Sequence, residues 1–515
     1  MGDPDRDDMP VMELGRHVSI WLDRAPDTTY ARLEGERRYD VAVIGGGITG
    51  LTTALLVARA GLSVGLVDQH VVSGGTTGHS TAKVTSQHGI TYLRLRLTLG
   101  HDAARTYAQA QEAAKERIAS LVADESIDCG FRRRPAYVYA GSRLQREIVQ
   151  REASEARRAG LPSTFVEAGD VPLPFPTHGA MRFDDQAEFD AAAYVRGLAA
   201  RLQEAGGDIF EHTRARHVHE RDPCVVELET GELRADHVVV ATLMPFLDRG
   251  GYFTRAFPSR SYVICARTAD PALGAMFINA GPPTRSLRDV PHDGQELLMV
   301  GGEGHHVGSD KARRERYERL VEFAERHWAV REITHRWSTQ DYSADDGVPY
   351  IGRLHPLSKR IHIATGFKKW GITSGTLAGM LVSDAILGRH NPWGGLFATT
   401  RIRPHAEAPR FLLENSRAGL RMVLDRVRER GGRPSDDLAP GEGDIVSHDG
   451  HKVAGYRDEQ GGLHAISTRC THVGCQVRFN SAELTWDCPC HGSRFTVDGD
   501  ILNGPATRRL DRYAP

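Results

Sequence analysis

Four cysteines and two histidines with metal-ligating side chains crowd together near the C-terminal end of this 515-residue chain. They lie in two short segments, Cys470, His472 and Cys475 in the first and Cys488, Cys490 and His491 in the second. Thiolate and imidazole groups are the ligands that both zinc and iron–sulfur centres use. The spacing therefore predicts a metal centre to which each of two loops supplies one cysteine and one histidine.

The Cys-x-His and Cys-x-x-His pattern, with a third glycine- and proline-containing loop at residues 504–506, resembles the Rieske [2Fe–2S] family. The resemblance implies that Cys470 and Cys488 hold one iron and that His472 and His491 hold the other. It also implies a disulfide that joins the two loops, between Cys475 and Cys490. A cytoplasmic disulfide must be buried to escape reduction. A structural zinc site is the alternative interpretation.

Phe495 departs from the pattern of high-potential Rieske proteins, which carry a tyrosine there. The tyrosine hydroxyl would donate a hydrogen bond to a ligand sulfur, and phenylalanine cannot. Since such hydrogen bonds raise the reduction potential, we expect a lower value within the class range of roughly −150 to +300 mV.

A glycine-rich turn near the N-terminus indicates a second cofactor. Asp40 and the apolar residues 41–44 lead into glycines and a small-residue helix, and a second strand ends at Asp68. Such a turn brings backbone N–H groups to a pyrophosphate, and the acid accepts hydrogen bonds from ribose. The predicted contacts of this dinucleotide site are Gly45, Gly47, Ile48, Thr49, Gly50, Asp68 and Gln69.

Three further segments, residues 74–84, 346–352 and 361–373, resemble the glycine oxidase and D-amino-acid oxidase family of FAD enzymes. The resemblance implies that FAD is the dinucleotide and that these segments run along it. The implied contacts are Thr76, Thr77, His79, Ser80, Thr81, Ala82, Lys83, Val84, Ala215, Ala241, Thr242, Gly352, Gly366, Phe367, Gly371, Ile372 and Thr373. A covalent link at His79 is the alternative to non-covalent binding.

Residues for the chemical step are harder to assign. Helix N-terminal amides at residues 371–373 would stabilise charge on a reduced flavin. The candidate catalytic residues are Lys369, Arg260, Tyr262 and His88. A carboxylated donor would need a cationic clamp, for which Arg260, Arg285 and Arg336 are candidates.

These sites require more than one folding unit, as the chain length also does. We predict an N-terminal extension at residues 1–38, a FAD-binding α/β domain at 39–392, a helical linker at 393–440 and a small all-β Rieske domain at 441–515. The FAD domain should combine a Rossmann-like sheet with a second, substrate-domain sheet.

Composition and charge limit the kinds of partner that the protein is expected to bind. The formal net charge of −2 gives no basic field for nucleic acid, and no apolar stretch is long enough to span a membrane. The first residues do not resemble an export signal, so we expect a cytoplasmic protein.

The combination of cofactors predicts an oxidoreductase that oxidises a C–N bond of a small amine or amino acid. Electrons would then pass singly through the cluster to an external acceptor protein. The alternative is a reductase that relays electrons between protein partners without an organic substrate. A non-catalytic redox sensor is a third interpretation.

Overall fold

The computed structural model describes residues 14–26, 28–309, 314–403, 405–407, 411–413, 415–416 and 433–513. Two large sheets form the first four hundred residues, and two small sheets form the C-terminal unit. The predicted fold class, an α/β FAD domain followed by a small all-β domain, is confirmed. Within the described ranges, no helix combines the length and apolar character needed to cross a membrane.

The first large sheet is the Rossmann-like layer, with a parallel centre in which Gly35–Ile44 pairs with Val64–Val67 and with Gly231–Val240. Side chains at the carboxyl end of Gly35–Ile44 are buried on both faces, as in a parallel sheet covered by helices. Its remaining strands are Asp208–Phe210, Ala215–His219, Cys224–Leu228, Tyr350–Arg353 and Ile361–Thr365.

The second large sheet stands beside the first and is mostly antiparallel. In order across the sheet its strands are Val330–Ala344, Ala256–Thr268, Gln295–His306, Arg285–His292, Met276–Asn279, Arg132–Tyr139, Ala180–Glu188 and Lys83–Val84, with Ser163–Val166 paired to Ala180–Glu188. The α-helices around the two sheets are Ile20–Arg24, Ile48–Arg59, Tyr92–Leu99, His101–Asp124, Arg143–Arg158, Ala191–Glu204, Glu315–His327, Gly371–Ile386 and Gly394–Phe397.

The C-terminal unit contains a three-stranded and a four-stranded antiparallel sheet. The first comprises Gly443–His448, His451–Arg457 and Leu463–Ser467; the second comprises Arg478–Asn480, Thr485–Asp487, Arg494–Phe495 and Ile501–Asn503. The first metal-ligating segment precedes the four-stranded sheet, and the second joins its strands Thr485–Asp487 and Arg494–Phe495.

The described part of the N-terminal extension packs on residues 74–84, the segment that resembles a flavin-binding loop. The Ser19 hydroxyl donates to Gly78 O, and Trp21 Nε1 donates to Ser80 O at 2.7 Å. Residues 1–13 lie outside the described residues. In the predicted linker, the helix Gly394–Phe397 is described, whereas residues 408–410, 414 and 417–432, which hold most of the predicted bridging helix, are not among the described residues.

The two units meet through a buried set of charged side chains. Arg260 is fully buried, and its Nη atoms donate to Ser338 and Gln340 while Nε lies 3.8 Å from Asp487 of the C-terminal unit. Arg494 also lies 3.2 Å from Asp487. Because buried charges are stable only when paired, this network favours one orientation of the two units.

Arg260→Met should destabilise this interface, because it leaves buried Asp487 with one cationic partner instead of two. Breaking a buried ion pair costs about 3 kcal/mol or more. We expect thermal unfolding to begin several degrees lower. The matched control is Arg267→Met, which breaks an exposed pair with Glu332 and should shift the melting temperature little. Equal melting temperatures for both variants would contradict the role of the network.

Candidate active site and cluster centre

One large cavity of about 970 Å³ lies between the two large sheets and reaches the C-terminal unit. Its walls come from the glycine turn, from the second sheet and from the unit that carries the metal-ligating loops. The residues supplied by that unit are Glu483, Arg494, Leu502, Asn503, Gly504, Ala506 and Thr507. The dinucleotide site and the metal-ligating unit therefore share a wall.

The glycine turn has the geometry that a bound pyrophosphate requires. Gly45 has φ +114°, and a Cβ there would lie 2.6 Å from Ala241 O. A Cβ at Gly50 would lie 1.9 Å from Gly45 O, so only glycine allows the helix to begin this close to the strand. The Asp68 carboxylate accepts from Gly46 N–H at 2.7 Å, and burial raises its pKa. These contacts fit the nucleotide end of FAD.

Most residues predicted to bind the cofactor line this cavity. They are Gly45, Gly47, Ile48, Thr49, Asp68, Gln69, Thr76, Thr77, His79, Ser80, Thr81, Ala82, Lys83, Ala215, Ala241, Thr242, Phe367, Gly371, Ile372 and Thr373. The other four, Gly50, Val84, Gly352 and Gly366, are not among the residues that line it. The His79 Nδ1 atom lies 2.9 Å from Gly75 O.

His88 holds the start of the helix Gly371–Ile386 at the cavity. Its Nδ1 lies 2.8 Å from the Tyr107 hydroxyl, and its Nε2 lies 3.1 Å from Thr373 Oγ1. The ring stacks on Trp370 with centroids 4.8 Å apart. Burial lowers its pKa to about 3, so the ring is neutral. Both nitrogens are engaged, which suits a supporting role for the helix terminus more than proton transfer.

A lysine and an aspartate lie next to each other in the cavity wall. Lys369 Nζ donates to Ser261 Oγ at 2.5 Å, and its backbone N–H donates to Asp341 Oδ2. Lys368 and Lys369 both have positive φ, at 54° and 67°, a conformation that costs free energy in non-glycine residues and is concentrated at functional sites. The strained turn aims Lys369 into the cavity.

Burial changes the protonation of this pair. It raises the pKa of Asp341 to about 6, although the N–H groups of Lys369 and Tyr342 oppose the shift. Burial lowers the pKa of Lys369 to about 8, and that of Lys83, on the same cavity, to about 7. Lys83 Nζ donates to Phe277 O and to Ser286 Oγ, both at 2.7 Å. The cavity therefore holds groups that titrate near neutral pH.

The other candidate residues occupy different positions. Tyr262 lines the cavity, but its hydroxyl lies 3.0 Å from His305 Nε2, and burial raises its pKa. Arg260 lies at the unit interface instead of in the cavity wall. Arg285 pairs with Glu303 at 2.8 Å, and Arg336 donates to the carbonyls of residues 14 and 15. The three candidate arginines are thus engaged elsewhere, whereas Lys83 and Lys369 line the cavity.

Sequence reasoning missed Asp341 and Glu483 as cavity residues. Asp341 stands five positions before Asp346 in the segment that resembles the flavin family, and that position was the available signal. Glu483 accepts from the Tyr317 hydroxyl at 2.7 Å and from Ser338 Oγ at 2.5 Å. Burial opposes ionisation of Glu483, yet His17, Arg260 and Arg494 hold its pKa at about 2.

The two metal-ligating loops form a donor set that fits a Rieske cluster. Cys475 and Cys490 form a disulfide, which leaves the buried thiols of Cys470 and Cys488 as sulfur donors. The ring centroids of the two histidines, His472 and His491, lie 5.0 Å apart.

The Nδ1 atoms of the two histidines also fit a bound cluster. The Nδ1 atoms of His472 and His491 are buried and find no hydrogen-bond partner among the described residues. Because buried polar atoms are rarely left unpaired, these two atoms call for a ligand. Two iron-bound imidazoles would satisfy both.

The cluster loops contact the cavity wall directly. Gln340 lines the cavity, and its Nε2 donates to Gly492 O at 2.7 Å. The hydroxyl of Tyr342, in the same strand, donates to His491 O at 3.0 Å. The side chain of Gln340 therefore connects the cavity to Gly492, which is next to the predicted cluster ligand His491.

Cys488→Ser should remove the cluster and leave the flavin. We expect loss of iron, acid-labile sulfide and the visible absorbance of the cluster, with FAD content unchanged, because Cys488 lies outside the glycine turn and its cavity. Cys129→Ser, which changes another buried free thiol, is the matched control and should keep both cofactors. Bound zinc instead of iron in the parent protein would contradict the assignment.

Comparison with known proteins agrees with both sites. The FAD dependent oxidoreductase family matches residues 40–385, and the Rieske [2Fe-2S] domain family matches residues 433–514. A putative Rieske 2Fe-2S iron-sulfur protein of Bacillus subtilis (strain 168) is 32% identical over 494 residues, which cover 96% of each chain.

Two solved structures share the fold of the larger unit. Glycine oxidase from Geobacillus kaustophilus aligns with a TM-score of 0.60 and 20% identity, over 71% of this chain and 99% of its own. L-Proline dehydrogenase from P. horikoshii aligns with a TM-score of 0.59 and 16% identity, over 72% and 98%. This chain belongs to the FAD dependent oxidoreductase family and carries a C-terminal Rieske [2Fe-2S] domain.

Proposed function

We propose that this oxidoreductase oxidises the C–N bond of a small amine that bears a carboxylate, and passes the electrons on through its Rieske cluster. FAD would accept two electrons as hydride, and the [2Fe–2S] cluster would pass them singly to an external acceptor protein. The observation that carries the proposal is the shared wall, where Gln340 lines the cavity and bonds Gly492 beside a cluster ligand.

Two lysines on the cavity wall support an anionic donor. Lys369 and Lys83 present ammonium groups on the substrate-domain side, where a carboxylate can accept hydrogen bonds from them. As their names state, glycine oxidase and L-proline dehydrogenase act on amino acids, which supports the same substrate class for a chain of the same fold. An amino acid is therefore the donor that the proposal favours.

Asp341 supports the removal of hydrogen from an amine. An amine must be unprotonated before hydride can leave its carbon. The carboxylate of Asp341 has a pKa of about 6, so above this pH it can accept a proton from a substrate ammonium. Its position beside Lys369 would place the amine and the carboxylate of one small molecule against opposite charges.

Anaerobic mixing with a panel of small amino acids and amines tests the function. We expect at least one of them to bleach the flavin, and the electron paramagnetic resonance signal of the reduced cluster to follow more slowly. An amine that reduces both cofactors supports the proposal. Bleaching only by reduced ferredoxin or NADH would contradict it and favour an electron relay without an organic substrate.

Binding of a short carboxylic acid that lacks an amine tests the lysines separately. Lys83 and Lys369 are protonated below about pH 7 and about pH 8, so affinity for the anion should be highest below these values and fall as the pH rises through them. The shift of the flavin absorption spectrum measures the dissociation constant.

Lys369→Met should weaken this binding by about tenfold and remove the fall near pH 8. Lys359→Met, which removes a surface lysine, is the control and should leave the dissociation constant and its pH profile unchanged. An unaltered profile in Lys369→Met would show that the anion does not bind at Lys369.

A further inference from the structure

A carboxylate of the FAD unit contacts the Nε2 atom of His472, a predicted cluster ligand. His472 Nε2 lies 2.8 Å from Asp248 Oδ1, while its Nδ1 has no partner among the described residues. The His472 side chain is only 4% exposed, although that of Asp248 is 59% exposed. The FAD unit therefore contacts the imidazole on the side opposite to the nitrogen available for iron.

The segment that carries Asp248 is fixed to the FAD unit. It forms two short 3₁₀ turns, Asp248–Gly250 and Tyr252–Thr254, joined at Gly251 with φ +63°. The Tyr252 hydroxyl donates to Leu354 O at 2.8 Å, and Arg249 Nη2 donates to Val218 O at 2.8 Å. Asp248 is thus held by the Rossmann-like sheet and its neighbours, not by the cluster loops.

Phe253, from the same segment, covers both histidines. Its ring meets that of His472 edge to face at 5.2 Å and that of His491 at 4.8 Å. With this segment in place, little of either imidazole is exposed. The FAD unit itself provides their surroundings.

We propose that Asp248 is a positioning residue for the cluster, which orients His472 and lowers the reduction potential of the iron that it binds. A carboxylate hydrogen-bonded to the outer nitrogen fixes the imidazole with Nδ1 towards the metal and makes it a stronger electron donor. Added negative charge beside the cluster favours the oxidised state, so the electron is held less tightly. The inference requires the cluster assignment but no particular organic donor.

The charge at position 248 can be removed without changing the shape of the side chain. In Asp248→Asn holoprotein we expect a higher midpoint potential than in the parent, measured by dye-mediated titration with a chemical reductant at one pH. Asp248→Glu keeps the charge and should keep the potential close to that of the parent. Reduced-cluster electron paramagnetic resonance follows the titration.

A control carboxylate lies in the cluster unit itself. Asp436 is 94% exposed and lies 3.8 Å from Arg457. Asp436→Asn makes the same change of charge and should leave the midpoint potential unchanged. An equal upward shift in Asp436→Asn would overturn the proposal, because the effect would then be one of net charge alone.

Iron content gives a second readout if the Asp248→Asn cluster is unstable. Loss of iron on chelator challenge, about tenfold faster than in the parent with FAD retained, supports the orienting role. Parent values for both midpoint potential and iron retention in Asp248→Asn would overturn the proposal. Failure of every amine to reduce the flavin would end the proposed function but leave this titration unaffected, since its electrons come from a chemical reductant.

Discussion

The close approach of Gly492 to the second large sheet is the contact on which the arrangement of the two cofactor sites depends. A Cβ at this position would lie 2.7 Å from each of three atoms, Gln340 Nε2, Pro258 Cβ and the Tyr342 hydroxyl. Only a hydrogen fits there, so the loop that carries His491 can lie directly on the sheet that walls the FAD cavity. Any side chain at position 492 would push the cluster away from that wall.

Buried charged side chains then determine how the C-terminal unit is oriented on the FAD unit. Arg260, Arg494, Asp487 and Glu483 are removed from water together, and each cation has a carboxylate within 4 Å. Such a network contributes little net stability, but a misaligned unit would leave a charge buried without a partner. The pKa of Glu483 is held at about 2, so its contribution is present above its unfolded value and is lost only as the pH falls towards 2.

The environment of the cluster is consistent with a low potential for its class. Phe495 is fully buried and offers no hydroxyl to a ligand sulfur. Asp248 adds a carboxylate on the outer nitrogen of His472. Both features favour release of an electron over its retention, as the proposed transfer to an acceptor protein would require.

The sequence identifies candidate cofactor-binding residues, but not the residues that surround them. Predicted cluster ligands such as Cys470 and Cys488, and glycines such as Gly45, occur at fixed short spacings that the chemistry imposes. Asp248 lies more than two hundred residues from His472, and nothing local to either residue predicts their contact. Strand alternation places Arg260 and Ser261 on opposite faces, but it does not say which face meets the cavity.

The most direct test of the account is a crystal of the holoprotein measured at the iron absorption edge. We expect two iron peaks among Cys470, Cys488, His472 and His491, with isoalloxazine density in the cavity that Gln340 and Lys369 line. A zinc signal at these residues, or a cluster unit that does not contact the FAD unit, would contradict it.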